Sequence, residues 1–262
     1  MVGNRPKIGL ALGSGGSRGL AHIGVLKVLE EENIPIDVMS GSSMGALIGC
    51  LYAVGHSPEQ IHRFATMFRR KYFVDFIIPR MGLIAGKKVK NLIRLLAKGK
   101  KLEELTPKMV VVATDITNGE RVLFEKGDIA SIVRASIAIP GIFVPEVIEG
   151  RTLVDGGVID RVPVLALKEK GADITIAVDV SYLKQTAKMK SIYDIMVQSM
   201  DIMTRELVRA QEMESTFMIR PIARQVNPLA FTEIDNLIKS GEEAAREQIE
   251  EIKKTIATWR EC

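Results

Sequence analysis

This 262-residue chain is short of histidine, cysteine and long apolar runs, and each shortage narrows its chemistry. Its three histidines are His22, His56 and His62, and none follows residue 62. The two cysteines, Cys50 and Cys262, form neither a ligand-spaced cluster nor a disulfide scaffold, which fits a reducing compartment. No stretch approaches the roughly 20 apolar residues that span a bilayer. The run Ile8–Leu12 behind Arg5 and Lys7 is too short for a signal-peptide core and leads straight into glycines, so it reads as a buried strand. A cytoplasmic protein is the default expectation. Charge of one sign is scarce too. With 36 basic and 32 acidic residues the net charge is +4, which gives no footprint for nucleic acid. There is no internal repeat and no low-complexity tract.

What is present suits one α/β domain. Apolar residues make up 47% of the chain, enough for a sizeable core. Ile8–Leu12 reads as a strand, Gly13–Gly19 as a glycine-rich turn, and the segment up to Asn33 as a helix. Val38–Ser40 reads as a short strand and Ala46–Val54 as a buried helix. Ser57-Pro58-Glu59 opens another helix, with Ser57 as cap and Pro58 at its first position. Val110–Ala113 is a further apolar strand, with Val122–Phe124 beside it after a turn at Asn118-Gly119. Ile129–Ile137 reads as helix, Thr152–Val154 as an apolar approach to Asp155, and Ile174–Val178 as a late strand. Ser191–Glu214 and Glu233–Trp259 are long helices flanking a last edge strand at Phe217–Ile219. Strand, turn and helix repeating at this spacing mark a parallel sheet. No Pro/Gly/Ser-rich linker divides the chain.

Gly41-Ser42-Ser43-Met44-Gly45 fits G-x-S-x-G between a strand and a helix. Such a turn strains the serine backbone and pushes its hydroxyl out above the sheet, while the flanking glycines let neighbouring backbones pass closely. Ser42 cannot take that place, because Met44 stands where glycine is needed. The same segment also reads as a tight helix start capped by serine.

A nucleophilic serine needs a base, and histidine is the usual one. The order Ser, acid, His cannot be met here. His56 lies at the far end of the serine's own helix, about 18 Å away at 1.5 Å per residue. His62 is in the next helix, and His22 reads as a buried structural residue. A carboxylate is therefore required. Asp155 ends the apolar run and is followed by Gly156 and Gly157. Burial would raise its pKa and make it a better base. Asp-Gly is also an ordinary turn signal, and Asp115 and Asp179 are alternatives at strand ends.

The loop Gly13-Ser14-Gly15-Gly16-Ser17-Arg18-Gly19 could cradle an anion on its amides. Arg18 occupies the sixth position of a dinucleotide fingerprint, and the Gly-Lys-Ser/Thr of a Walker loop is absent. With a candidate nucleophile nearby, an oxyanion hole made by the Gly15 and Gly16 amides is the better reading. Arg18 then fixes the loop rather than performing chemistry.

Taken in order, Gly13–Gly19, Gly41–Gly45 and Asp155–Gly157 resemble the patatin-like phospholipase family. Ala135-Ser136, with Pro140, Phe143 and Pro145 downstream, resembles the segment that precedes the family's aspartate. The resemblance covers about residues 8–168 and implies a patatin-like three-layer α/β/α sandwich with a mainly parallel central sheet. Residues 169–262 would supply the remaining strands and C-terminal helices of the same domain. The resemblance also implies a Ser–Asp dyad. Ser43 is the nucleophile, Asp155 the proton acceptor, and Gly15 and Gly16 the oxyanion donors. Gly13, Arg18, Gly41, Gly45, Gly156 and Gly157 support them, and no metal or cofactor takes part. Ser14 is a small departure, since many members carry a third glycine there.

The implied substrate is a lipid or other acyl ester. An acyltransferase, a thioesterase or a regulatory protein on the same fold are the alternatives. From Phe76 to Leu102 there is no acidic residue, while eight basic residues from Arg80 to Lys101 are interleaved with apolar ones. Residues 80–101 thus read either as a lid or docking surface for anionic lipid beside Ser43, or as a surface helix packed by its apolar side. The first reading would put the protein peripherally at the inner membrane face.

Overall fold

The computed structural model describes residues 5–67, 75, 81–181, 192–222 and 233–260. Among the described residues, eight strands form one sheet: β1 (Ile8–Leu12), β2 (Val38–Ser42), β3 (Lys108–Asp115), β4 (Glu120–Phe124), β5 (Glu146–Ile148), β6 (Arg151–Asp155), β7 (Ile174–Val178) and β8 (Phe217–Ile219). The helices are α1 (Ala21–Glu31), α2 (Met44–Ala53), α3 (Pro58–Met67), α4 (Lys87–Leu96), α5 (Ile129–Ser136), α6 (Val164–Glu169), α7 (Ile192–Glu214) and α8 (Ile234–Thr258). Ser191 and residues 76–80, which the sequence reading included, lie outside the described residues.

The hydrogen-bonded path runs β5-β6-β3-β2-β1-β7-β8, with β4 also on β3. Strands β3, β2, β1, β7 and β8 are mutually parallel, while β4 and β6 pair antiparallel with β3, and β5 antiparallel with β6. The parallel centre is covered on both faces, so β1, β2 and β7 are buried at every residue. Alternation sorts their side chains. Ile8, Leu10 and Leu12 join the larger core with α1, α2, α4, α5 and α8. Ala11 faces the other way, toward Val164 and Leu167 of α6. This is the three-layer α/β/α sandwich with a mainly parallel sheet. Strands β7 and β8 extend it beyond β1, and α8 packs along α1, tied by Lys27–Glu242 and Arg246–Glu31.

Two elements go beyond the sequence reading. Strand β5 has three residues at the sheet edge, too few to show a period, and α6 is a turn and a half following Pro163. Strand β2 also runs further than Val38–Ser40, reaching Ser42.

The register of β3 sets the site. Its residues Lys108–Val112 pair with β2, Ala113–Asp115 with β6, and Val111–Asp115 with β4. Strand β4 overlaps both other partners, so it holds one flank of β3, and β2 and β6 share the other. They run toward each other and meet end on: Ser42 lies opposite Val112, and Asp155 opposite Ala113.

Candidate active site

Ser43 is the residue after β2 and caps α2, with φ 54° and ψ −121°. A side chain rarely adopts positive φ, and such strain persists where surrounding structure holds it. Two close approaches explain the flanking glycines. A Cβ on Gly41 would lie 2.7 Å from Ala46 Cα, and one on Gly45 would lie 2.0 Å from Leu12 O. The turn is held from the side by Ser136 at the end of α5. Its hydroxyl accepts from the Ser43 amide at 2.9 Å and donates to Val112 O at 2.6 Å.

Ser43 Oγ donates to Asp155 Oδ2 at 2.5 Å, and both residues are buried. The other carboxylate oxygen, Oδ1, accepts from the Gly157 amide at 2.8 Å and so caps the 3-10 turn Gly156–Val158. Asp155 thus uses one carboxylate oxygen to hold the 3-10 turn that follows it and the other to meet the Ser43 hydroxyl. Its backbone is anchored by Asp155 N to Ala138 O and by Thr114 Oγ1 donating to Asp155 O. Burial pushes the Asp155 carboxyl up to about 6. The hydrogen bonds from Ser43 and Gly157, the positive field of Arg161 and the neighbouring Ser14 hydroxyl pull in the opposite direction. The rival carboxylates are engaged elsewhere. Asp115 accepts from Thr117 and Asn118, and Asp179 from Ser181.

The glycine loop lies at the same end of the sheet. A Cβ on Gly19 would touch Met44, the neighbour of Ser43. Gly13 donates to Val178 O, Gly15 has extended φ, and Gly16 has φ 58° and opens the 3-10 turn Gly16–Leu20. Arg18 Nε donates to Gly15 O at 3.1 Å, a loop-fixing contact. His22 is fully buried, and its Nε2 donates to Gly13 O at 2.8 Å; burial lowers its pKa to about 4, so it is neutral. His56 bonds Leu96 O and His62 bonds Asp235, both away from Ser43. Gly156 sits where the two strand ends meet, close to Val112 O and Ser42 Oγ.

Sequence reasoning gave no role to Ser136 or Ser14. For Ser136 the signal was its place in the family segment. For Ser14 it was the departure from glycine.

The basic segment is organised by α4. Val89 and Ile93 are buried in the core, and Arg94 pairs with Asp128 at the start of α5 while Gly86 abuts Arg134 near its end. Helix α4 thus runs antiparallel to α5, with Val89 and Ile93 spent on packing and Leu95 left exposed. Lys87, Lys88 and Lys98 are exposed, and Arg80 lies outside the described residues. Among the described residues, no helix is long and apolar enough to cross a membrane.

A family model for patatin-like phospholipases matches residues 10–168. An uncharacterized NTE family protein of Mycobacterium tuberculosis is 38% identical over 178 residues, which is 67% of this chain and 49% of that protein. Lysophospholipase NTE1 of Debaryomyces hansenii is 34% identical over 188 residues, 70% of this chain and 12% of that protein. The chain thus spans half or less of the length of these curated relatives. Among solved structures, VipD from Legionella pneumophila aligns with a TM-score of 0.51 at 16% identity, over 94% of this chain and 67% of its own. ExoU of Pseudomonas aeruginosa, in its complex with SpcU, aligns with a TM-score of 0.54 at 16% identity, over 95% and 52%. These two likenesses establish a shared fold. With more than half of its length matched by the family model, the chain belongs to the patatin-like phospholipase family.

Proposed function

We propose that this protein is a serine hydrolase that cleaves acyl esters of phospholipids or lysophospholipids with Ser43 as nucleophile and Asp155 as base. The observation that carries the reading is the 2.5 Å contact between Ser43 Oγ and Asp155 Oδ2 at a strained, buried turn. With a pKa of about 6, Asp155 is about nine-tenths ionised at pH 7 and ready to accept the Ser43 proton. Ser43 attacks the acyl carbon, and the Gly15 and Gly16 amides stabilise the oxyanion. Asp155 returns the proton to the leaving alcohol, leaving an acyl-serine. It then activates water, which releases the fatty acid. The family match supports a lipid ester, and the fungal relatives named lysophospholipases favour a single-chain substrate.

The test is labelling with a fluorophosphonate probe and turnover of lysophosphatidylcholine and diacyl phospholipid. Wild type should label and release fatty acid. Ser43→Ala should do neither, and Asp155→Asn should lose at least about 10³-fold in rate. Labelling of Ser43→Ala at the wild-type rate would overturn the assignment. Contact with anionic lipid is proposed for the exposed ridge at Lys87, Lys88 and Lys98 rather than for the apolar side of α4. Reversing Lys87 and Lys88 to Glu should weaken sedimentation with phosphatidylglycerol vesicles, and unchanged sedimentation would remove this surface.

A further inference from the structure

The buried ring of His22 sits where the glycine loop meets the Ser43 turn. Its Nε2 lies 2.8 Å from Gly13 O. A carbonyl can only accept, so Nε2 carries the hydrogen and Nδ1 is bare. Among the described residues nothing donates to Nδ1. A buried nitrogen left unpaired is costly, and an apolar ring would avoid that cost. What the imidazole adds over such a ring is the bond to Gly13 O. Gly13 is held at both its amide and its carbonyl: the amide donates to Val178 O at the end of β7, and the carbonyl accepts from His22. That carbonyl also lies against the nucleophile turn, 2.9 Å from where a Cβ on Gly45 would stand. At the other end of the loop, a Cβ on Gly19 would lie 3.5 Å from His22 Cδ2 and 2.4 Å from Met44 Cγ. His22 thus meets the loop at both ends, and at each end the next neighbour is Met44-Gly45, directly after Ser43. Its own helix is held from behind. A Cβ on Gly24 would come within 1.9 Å of Ile238 O, and one on Gly241 within 2.0 Å of Ala21 O, so α1 starts wedged against α8. We infer that His22 is a positioning residue that fixes the glycine loop against the Ser43 turn, and with it the place of the Gly15 and Gly16 amides relative to Ser43 Oγ.

The inference rests on the reading of Ser43 as nucleophile and of those amides as its oxyanion donors. Gly15 and Gly16 closely follow Gly13, and Arg18 Nε closes the loop on Gly15 O. Releasing Gly13 O frees the loop to shift, while the Asp155 carboxylate keeps its own bonds to Ser43 and Gly157. The effect should therefore fall on transition-state stabilisation and spare both substrate binding and the base. A misplacement of about 1 Å in such a site costs about 10²-fold in rate. Burial keeps the His22 pKa at about 4, so the ring is neutral across the assay range and its tautomer decides.

The experiment has two arms. Nitrogen NMR of isotopically labelled histidine in the wild type reads the His22 tautomer, with His22→Gln assigning the signal. In parallel, kcat and KM on a p-nitrophenyl ester and the rate of fluorophosphonate labelling are measured against pH for wild type, His22→Phe and His22→Gln. At neutral pH the ring should be protonated on Nε2 and bare on Nδ1. His22→Phe keeps a ring without the donor and should lose about 10- to 100-fold in kcat and in labelling alike, with KM within about twofold. Its acid limb should stay near pH 6, where Asp155 titrates. His22→Gln keeps a donor at similar reach and should stay within about fivefold of wild type. A ring protonated on Nδ1, a folded Phe variant with wild-type kcat, a shifted acid limb, or a Gln variant slowed about tenfold or more would overturn the inference. Should His22→Phe fail to fold, the wild-type tautomer and the Gln rate still decide it. An Nε2-protonated ring in a wild type that neither turns over ester nor takes the label would refute the hydrolase reading and uphold the His22–Gly13 contact.

Discussion

Replacing Asp155 by Asn should make the protein inactive and, at neutral pH, more stable. In the folded protein the Asp155 carboxyl titrates near 6, against 3.8 for an unburied aspartate. Between those values the folded state binds more protons than the unfolded one, so stability falls as pH rises from about 4 to about 6 and is level above. A shift of about two units corresponds to about 3 kcal/mol of stability lost by pH 7 through this one group. Asparagine does not titrate. It keeps an oxygen for the Gly157 amide and offers its NH₂ to the Ser43 hydroxyl, which can reverse its role and accept. The variant should therefore exceed wild type by about 2 to 3 kcal/mol at pH 8, a rise in Tm of about 5 °C or more for a domain of this size. Near pH 4.5 the difference should shrink to about 1 kcal/mol. Urea or thermal melts at both pH values measure this. An Asn variant that is no more stable than wild type at pH 8, or that differs by the same amount at both pH values, would refute the reasoning.

Other expectations follow from the same geometry. Ser136→Ala leaves the buried Ser43 amide without an acceptor and should cost about 1 to 3 kcal/mol, with kcat down roughly tenfold or more and KM little changed; Ser136→Thr should recover most of the rate. Wild-type kcat/KM should rise with pH through about 6 and level off, since the base must be ionised; a profile flat down to pH 5 would contradict Asp155 as that base. Gly45→Ala drives a Cβ to 2.0 Å from Leu12 O and should destabilise by about 3 kcal/mol or more, visible as insoluble expression or a lowered Tm. Turnover in excess chelator should equal that without it, and a loss reversed by calcium would contradict a dyad that works alone.

Sequence legibility followed the range of the interactions. Strands β1 and β7 are read easily because burial on both faces leaves an unbroken apolar run. The Ser43 elbow is equally visible, since its constraints fall within five residues. The base is harder. Asp155-Gly156 carries a turn signal, and nothing local says that its second oxygen reaches a residue 112 positions earlier. That fact lives in the register of β3. Ser14 and Ser136 are harder still, because a serine hydroxyl is small and unspecific, and its value depends on who stands opposite. The basic segment reads in sequence both as a lid and as a packed surface helix. Its interleaved apolar residues look alike in sequence whether they face lipid or the core, and Val89 and Ile93 face the core.

The end-on meeting of β2 and β6 along one flank of β3 bears on how the chain is made. A nascent chain that has not yet reached residue 155 carries Ser43 without Asp155, and a longer one brings the two together only when β6 docks beside β3. On the proposed reading, a half-built chain would hold the nucleophile with no partner to activate it, and the β6–β3 pairing would complete the site.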